Sequence, residues 1–75
     1  MKNCLRDLRK AQGLNQADLA DRLAISRQTI IAIEADKYDP SLPMAYRMAA
    51  FFDVPVEVLF INPWKVNPPD RPSPV

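Results

Sequence analysis

No histidine occurs in the sequence, and Cys4 is its one cysteine. Zinc ligation and the usual histidine-assisted serine or cysteine nucleophiles are thereby excluded. Cys4 reads as a small, half-buried apolar residue in a reducing compartment. The carboxylates of Asp18, Asp21 and Glu34 sit in helical runs as ordinary helix charges, without the cleft that acid–base catalysis needs. Gly13 is the one glycine, so no glycine-rich loop can cradle a phosphate. The reading is a non-enzyme with no cofactor, no metal and no small-molecule effector site. What remains is a helix face. In SRQTIIAIEA, Ile30 and Ile33 turn inward, which leaves Arg27, Gln28, Ile31, Ala32 and Ala35 outward. A guanidinium and an amide side by side, next to small apolar groups, suit a helix that enters a DNA major groove N-terminal end first.

Such a helix must be held away from the rest of the chain by its neighbours. Apolar residues recur at three and four throughout, and no segment alternates with strand period. The first helix is predicted over Lys2–Gln12 with Leu5 and Leu8 inward, ending at Gly13 in the left-handed conformation. Asn15 is a good N-cap for a second helix over Gln16–Leu23, with Asp18 in its first turn and Leu19, Ala20 and Leu23 on one face. Ala24 and Ile25 form a short break. Ser26 caps the third helix, Arg27–Ala35. Ala20 stands where the second and third helices meet, and a larger side chain would keep them apart. The run from Asp36 to Pro40 is a loop by its turn chemistry. Ser41 caps a fourth helix, Leu42–Phe52, with Pro43 tolerated in the first turn. A short fifth helix follows from Pro55 to about Phe60.

The chain has 75 residues, room for one domain only. Six of its eight prolines lie at Pro55 or between Asn62 and Pro74, so residues 62–75 are expected to form an extended or disordered tail. The remaining stretch of about 60 residues, 1–61, can bury roughly 60% of its unfolded surface, near the lower limit for folding without disulfides or metal. The 48% hydrophobic content of the whole chain supports a real core. The fold class is all-α, a compact five-helix bundle. Met1–Lys10 holds four basic residues and no long apolar run, so no signal peptide is expected. No stretch approaches the ~20 apolar residues of a membrane span. A cytoplasmic protein is the expectation. The net charge of +1 says little about nucleic acid, so placement of the charges matters more than their sum.

In LRKAQGLNQADLA, SRQTIIAIE and YDPSLPMAYRMAAFFDV, taken in order and at their spacing, the sequence resembles the Cro/C1-type helix-turn-helix family, also called the XRE family. The resemblance covers about Lys2–Phe60 and places the helix-turn-helix at residues 16–36. It implies a lambda-repressor-like bundle and a regulator of transcription that binds double-stranded DNA. By position, Gln16 at the start of the second helix would touch the DNA backbone and help to orient Gln28. Gln28 would pair with adenine N6 and N7, and Arg27 with guanine O6 and N7 or an adjacent phosphate. Thr29 would meet backbone or a base edge, and Lys37 a phosphate. Arg9 and Glu34 match a structural ion pair of the family. Ile31 and Ala32 can recognise thymine methyl groups, which predicts an operator with A·T pairs under Gln28 and thymines beneath Ile31 and Ala32.

The family often carries glycine where this sequence has Ala24, Asp36 and Asp53. Alanine in the left-handed region costs about 1 kcal/mol. Asp36 and Asp39 near the expected DNA edge would also repel phosphate. Arg6 and Lys10, with Asp7 among them, read as a solvated helix face. Phe51, Val56, Leu59, Phe60 and Trp64 exceed what one small bundle can bury. Either Trp64 and the tail fold back over the core, or a two-fold homodimer covers them. The dimer is preferred, since it would set two recognition helices ~34 Å apart on a pseudo-palindrome and double the phosphate contacts. Repression follows from the resemblance and from the lack of any sensor or activation domain. The alternative is an antitoxin-like or co-regulatory protein-interaction module with DNA binding secondary.

Overall fold

The computed structural model describes residues 1–64. Among them are five helices, α1 (Leu5–Ala11), α2 (Gln16–Leu23), α3 (Arg27–Glu34), α4 (Leu42–Phe52) and α5 (Val56–Leu59). The expected tail from residue 65 onward lies outside the described residues. Three helices start on the caps read from the sequence. Asn15 Oδ1 accepts the Asp18 amide at 2.7 Å while the Asp18 carboxylate accepts the Asn15 amide at 3.0 Å, a reciprocal box. Ser26 Oγ accepts the Thr29 amide at 3.1 Å, and Ser41 Oγ the Met44 amide at 3.3 Å. Each such cap stabilises a helix by about 1 kcal/mol.

The helix ends follow one rule. Gly13, Ala24, Asp36 and Asp53 all have positive φ, at 72°, 57°, 61° and 55°. In each case the next amide reaches back five residues: Leu14 to Arg9, Ile25 to Ala20, Lys37 to Ala32 and Val54 to Ala49. This satisfies carbonyls that the helix leaves unpaired, and it usually carries an apolar residue into the core beyond the turn. Leu14, Ile25 and Val54 do pack against the core. The residue at the matching place after α3 is Lys37, which is exposed. One helix-ending device thus anchors three helices inward and, after α3 alone, presents a cation outward.

The core is formed by Leu5, Leu19, Leu23, Ile30, Ile33, Met48, Phe52, Leu59 and Phe60 with Ala20, Ala45 and Ala49. Ala20 is 4% exposed between α2 and α3, the close approach that its small side chain predicts. Arg47 on α4 donates to the Leu23 carbonyl at 2.7 Å, tying α4 to the end of α2.

The first helix begins three residues later than its apolar spacing predicts. Residues 2–4 pair instead with residues 59–61, at the end of α5 and just beyond it. The Cys4 amide donates to the Leu59 carbonyl at 2.9 Å, the Ile61 amide to the Lys2 carbonyl at 2.8 Å, and Asn3 bridges Phe60 in antiparallel fashion. Asn3 uses its whole side chain there. Its Oδ1 accepts the Leu5 amide at 3.1 Å, and its Nδ2 donates to the Ile33 carbonyl at 2.8 Å. Extended pairing with a distant segment outcompetes one further helical turn at a terminus, where helical hydrogen bonds fray.

The Met1 ammonium joins the same clasp, at 2.5 Å from Asp36 Oδ1 and 2.6 Å from Asp39 Oδ1. The two carboxylates expected to repel phosphate are thus offset by a cation. Hydrogen bonding to Asp36 first and Asp39 second raises the pKa of this ammonium above the usual α-amino range. A folded-state value above the unfolded one contributes stability that is complete below the unfolded pKa, about 8. The contribution disappears as pH rises through the raised value. Urea midpoints should therefore fall as pH rises from neutral into the alkaline range, and fall less in a chain carrying Asp36→Asn and Asp39→Asn. Equal slopes in the two proteins would contradict this.

Candidate nucleic-acid interface

α3 is anchored on one side and open on the other. Ile30 and Ile33 are fully buried. Arg27, Gln28 and Ala35 are exposed, and Ile31 and Ala32 are half-buried along the same outer face. Arg27 and Gln28 occupy the first turn, the end that leads into a groove. Lys37 is exposed beyond the far end. Thr29 is half-buried, and its hydroxyl lies 2.8 Å from Ser26 Oγ, so it helps to close the cap.

Behind this face lies a nearly dry ion pair. Arg9 Nε and Nη2 donate to the two oxygens of Glu34 at 2.7 and 3.1 Å, and Nη1 donates to the Leu14 carbonyl at 2.8 Å. The side chains are 8% and 5% exposed. The hydrogen bond to Glu34 raises the Arg9 pKa, against the opposing effect of burial. The pair locks α1 to α3 and sets the angle at which α3 is offered. Gln16 adds a third element, since its Nε2 donates to Glu34 Oε1 at 3.2 Å.

Two shallow clefts flank Gln16. One, of about 270 Å³, is lined by Arg6, Arg9, Lys10 and Gln16 against Ile31 and Ala35. The other, of about 320 Å³, is lined by Arg9, Asn15, Gln16, Ala17 and Arg27. Arg6 and Lys10 therefore border the outward face of α3, whereas the sequence reading left them as a solvated face. Their spacing of four residues along α1 puts them on one side, but only the docking of α1 against α3 reveals which side that is. The structure brings together Gln16, Arg27, Ile31 and the Arg9–Glu34 pair. Lys37 lies beyond the end of α3, apart from the clefts.

The residues expected at a dimer face divide differently. Leu59 is 0% and Phe60 6% exposed, both inside the bundle's own core. The terminal clasp draws them in, since Leu59 is the partner of Cys4. Phe51 is half-buried and meets Phe52 edge to face at 5.0 Å between ring centroids. Val56 is half-buried on an apolar groove of about 370 Å³ lined also by Met1, Pro40, Leu42 and Phe60. Trp64 is 87% exposed and does not fold back over the core. That groove shares no residue with the two clefts beside Gln16.

Among the described residues, no group of histidine, cysteine or acidic side chains could hold a metal ion, and no helix is long and apolar enough to cross a membrane. A helix-turn-helix family profile matches residues 5–59. The chain is 56% identical over 61 residues to an uncharacterized HTH-type transcriptional regulator of Methanocaldococcus jannaschii, covering 81% of this chain and 92% of that one. It is 37% identical over 60 residues to an uncharacterized HTH-type transcriptional regulator of Bacillus subtilis, covering 80% and 91%. It is 33% identical over 55 residues to a cryptic phage transcriptional repressor of Vibrio cholerae, covering 73% of this chain and 50% of that one. The helix order, the capped turn between α2 and α3 and the outward polar end of α3 are accounted for together: the chain belongs to the Cro/C1-type helix-turn-helix family and is a DNA-binding transcriptional regulator, not an enzyme.

Proposed function

We propose that this regulator acts as a repressor, binding a pseudo-palindromic operator as a two-fold dimer with α3 in the major groove. The observation that carries the reading is the exposure of Arg27 and Gln28 at the leading end of a helix whose opposite face is buried. Arg27 and Gln28 read base edges, Ile31 and Ala32 meet thymine methyls, and Gln16, Thr29 and Lys37 hold the backbone. Arg6 and Lys10 add cations beside the same face. The phage repressor among the relatives favours repression. The exposed Trp64 and the apolar groove beside α5 offer surface for a second copy that leaves α3 free. The protein works in the cytoplasm, where its DNA is.

In vitro selection from random duplexes, read with sedimentation of the protein alone, tests the reading. A palindromic consensus with A·T pairs under Gln28 and thymines under Ile31 is the expected result. A G·C-only consensus at those positions would refute the groove assignment, and a monomer at high micromolar concentration would refute the dimer. Gln28→Ala should weaken binding by about 1–3 kcal/mol and relax sequence preference at its base pair. Lys37→Ala should weaken all duplexes similarly and lower the salt slope by about one. Titrations at several salt concentrations separate the two.

A further inference from the structure

The first residues of the chain close over the far end of α3. Asn3 Nδ2 donates to the Ile33 carbonyl at 2.8 Å and to the Met1 carbonyl at 3.2 Å, which lays the terminus against the last turn of that helix. The Met1 ammonium then lies 2.5 Å from Asp36 Oδ1 and 2.6 Å from Asp39 Oδ1. In the chain these two carboxylates flank Lys37, the exposed cation beyond α3. The edge is therefore balanced, two cations against two carboxylates. Met1 is 42% exposed, so its amine is within reach of solvent. A neutral group in its place would leave Lys37 alone against Asp36 and Asp39.

We propose that the α-amino group of Met1 is a modification site that sets DNA affinity: acylation removes the cation that masks Asp36 and Asp39, and turns the edge beside Lys37 against phosphate. The proposal rests on the DNA-binding reading and adds its regulation. The acyl donor is a thioester. The ammonium gives one proton to solvent, and the amine nitrogen bonds to the thioester carbonyl carbon as the C–S bond breaks. The thiol leaves with the second proton. The resulting amide keeps one N–H, which can donate to one carboxylate but carries no charge. Arg27 and Gln28 stand at the opposite end of α3, so base reading is untouched. The effect falls on affinity for any duplex, as expected of a change that acts on the phosphate backbone. A peptide bond from Met1 to a preceding residue would remove the charge in the same way.

The full chain can be made in both forms with one sequence. A Met1–Asn3 thioester, its amine free or acetylated, is ligated to a fragment that starts at Cys4. Acetylation should raise the Kd for the selected duplex about fivefold at ~50 mM salt, and less at ~300 mM, where exposed charges are screened. A duplex of random sequence should be weakened by the same factor. With Asp36→Asn and Asp39→Asn in place, the free and acetylated forms should bind alike, and at least as tightly as the unmodified parent. Circular dichroism fixes the folded fraction of each protein, so that affinities are compared among folded molecules. Equal affinity of the free and acetylated parent would overturn the proposal. An equal loss on acetylating the Asn variant would also overturn it, because the clasp would then act through structure and not through charge. Failure of the free-amine parent to bind any duplex would strike the DNA-binding reading and the proposal together, whereas binding that ignores the amine strikes the proposal alone.

Discussion

Arg9→Met should remove about half or more of the protein's stability. The change leaves the carboxylate of Glu34, whose side chain is 5% exposed, without its cation. Removing one partner of a buried pair costs about 3–5 kcal/mol, because the remaining charge keeps its desolvation penalty and loses its compensation. A folded unit of ~60 residues has only about 3–9 kcal/mol in total, so the loss is comparable to the whole stability. Replacing both partners differs in sign. Arg9→Met with Glu34→Leu removes both charges and fills the space with apolar atoms, which is often neutral or better. Urea denaturation should find the double variant more stable than Arg9→Met alone. Equal midpoints for Arg9→Met and the parent would show that the pair does not lock α1 to α3.

Leu59→Ala is the second large effect, about 2–5 kcal/mol, for a different reason. Leu59 is fully buried in a helix of four residues, too short to stand on its own hydrogen bonds. Packing alone holds α5 in place, and the Leu59 carbonyl is half of the terminal clasp. Truncating it should release the pairing of residues 2–4 with 59–61. The Cys4 and Ile61 amides should then lose hydrogen-exchange protection before the α2 and α3 amides do. The size of the loss should not depend on protein concentration, because the side chain belongs to the monomer. Trp64→Ala should do the opposite, leaving monomer stability within about 0.5 kcal/mol and acting only on association. A concentration-dependent loss in Leu59→Ala would return that residue to an interface between copies.

The ranges of α2 and α4 were legible residue by residue, and that of α3 to within its final residue. Their starts depend on a hydroxyl or amide oxygen within three residues of the amide it caps, as in Asn15, Ser26 and Ser41. Their ends depend on a residue able to enter the left-handed region, and Ala24, Asp36 and Asp53 do so although none is glycine. The inward residues Leu19, Ala20, Leu23, Ile30 and Ile33 follow from period alone. The Arg9–Glu34 pair came from resemblance and is present as a hydrogen-bonded ion pair. The first helix was overextended, since periodicity cannot see a competing strand partner some 60 residues away.

The helix-turn-helix was therefore determined by the sequence itself. Its caps, turns and apolar spacing act over a few residues, where chemistry and proximity along the chain coincide. What only the tertiary structure decided involves groups far apart in sequence. Asn3 reaches the end of α3, the Met1 ammonium offsets Asp36 and Asp39, Arg47 holds the end of α2, and Leu59 turns inward rather than toward a partner. Gln16 belongs to the same group. Its type and place marked it as a DNA contact, but which end of its amide faces outward depends on a carboxylate eighteen residues away. Local hydrogen bonds are encoded by neighbours, whereas the direction of a polar side chain is set by whichever charge the folded chain brings beside it.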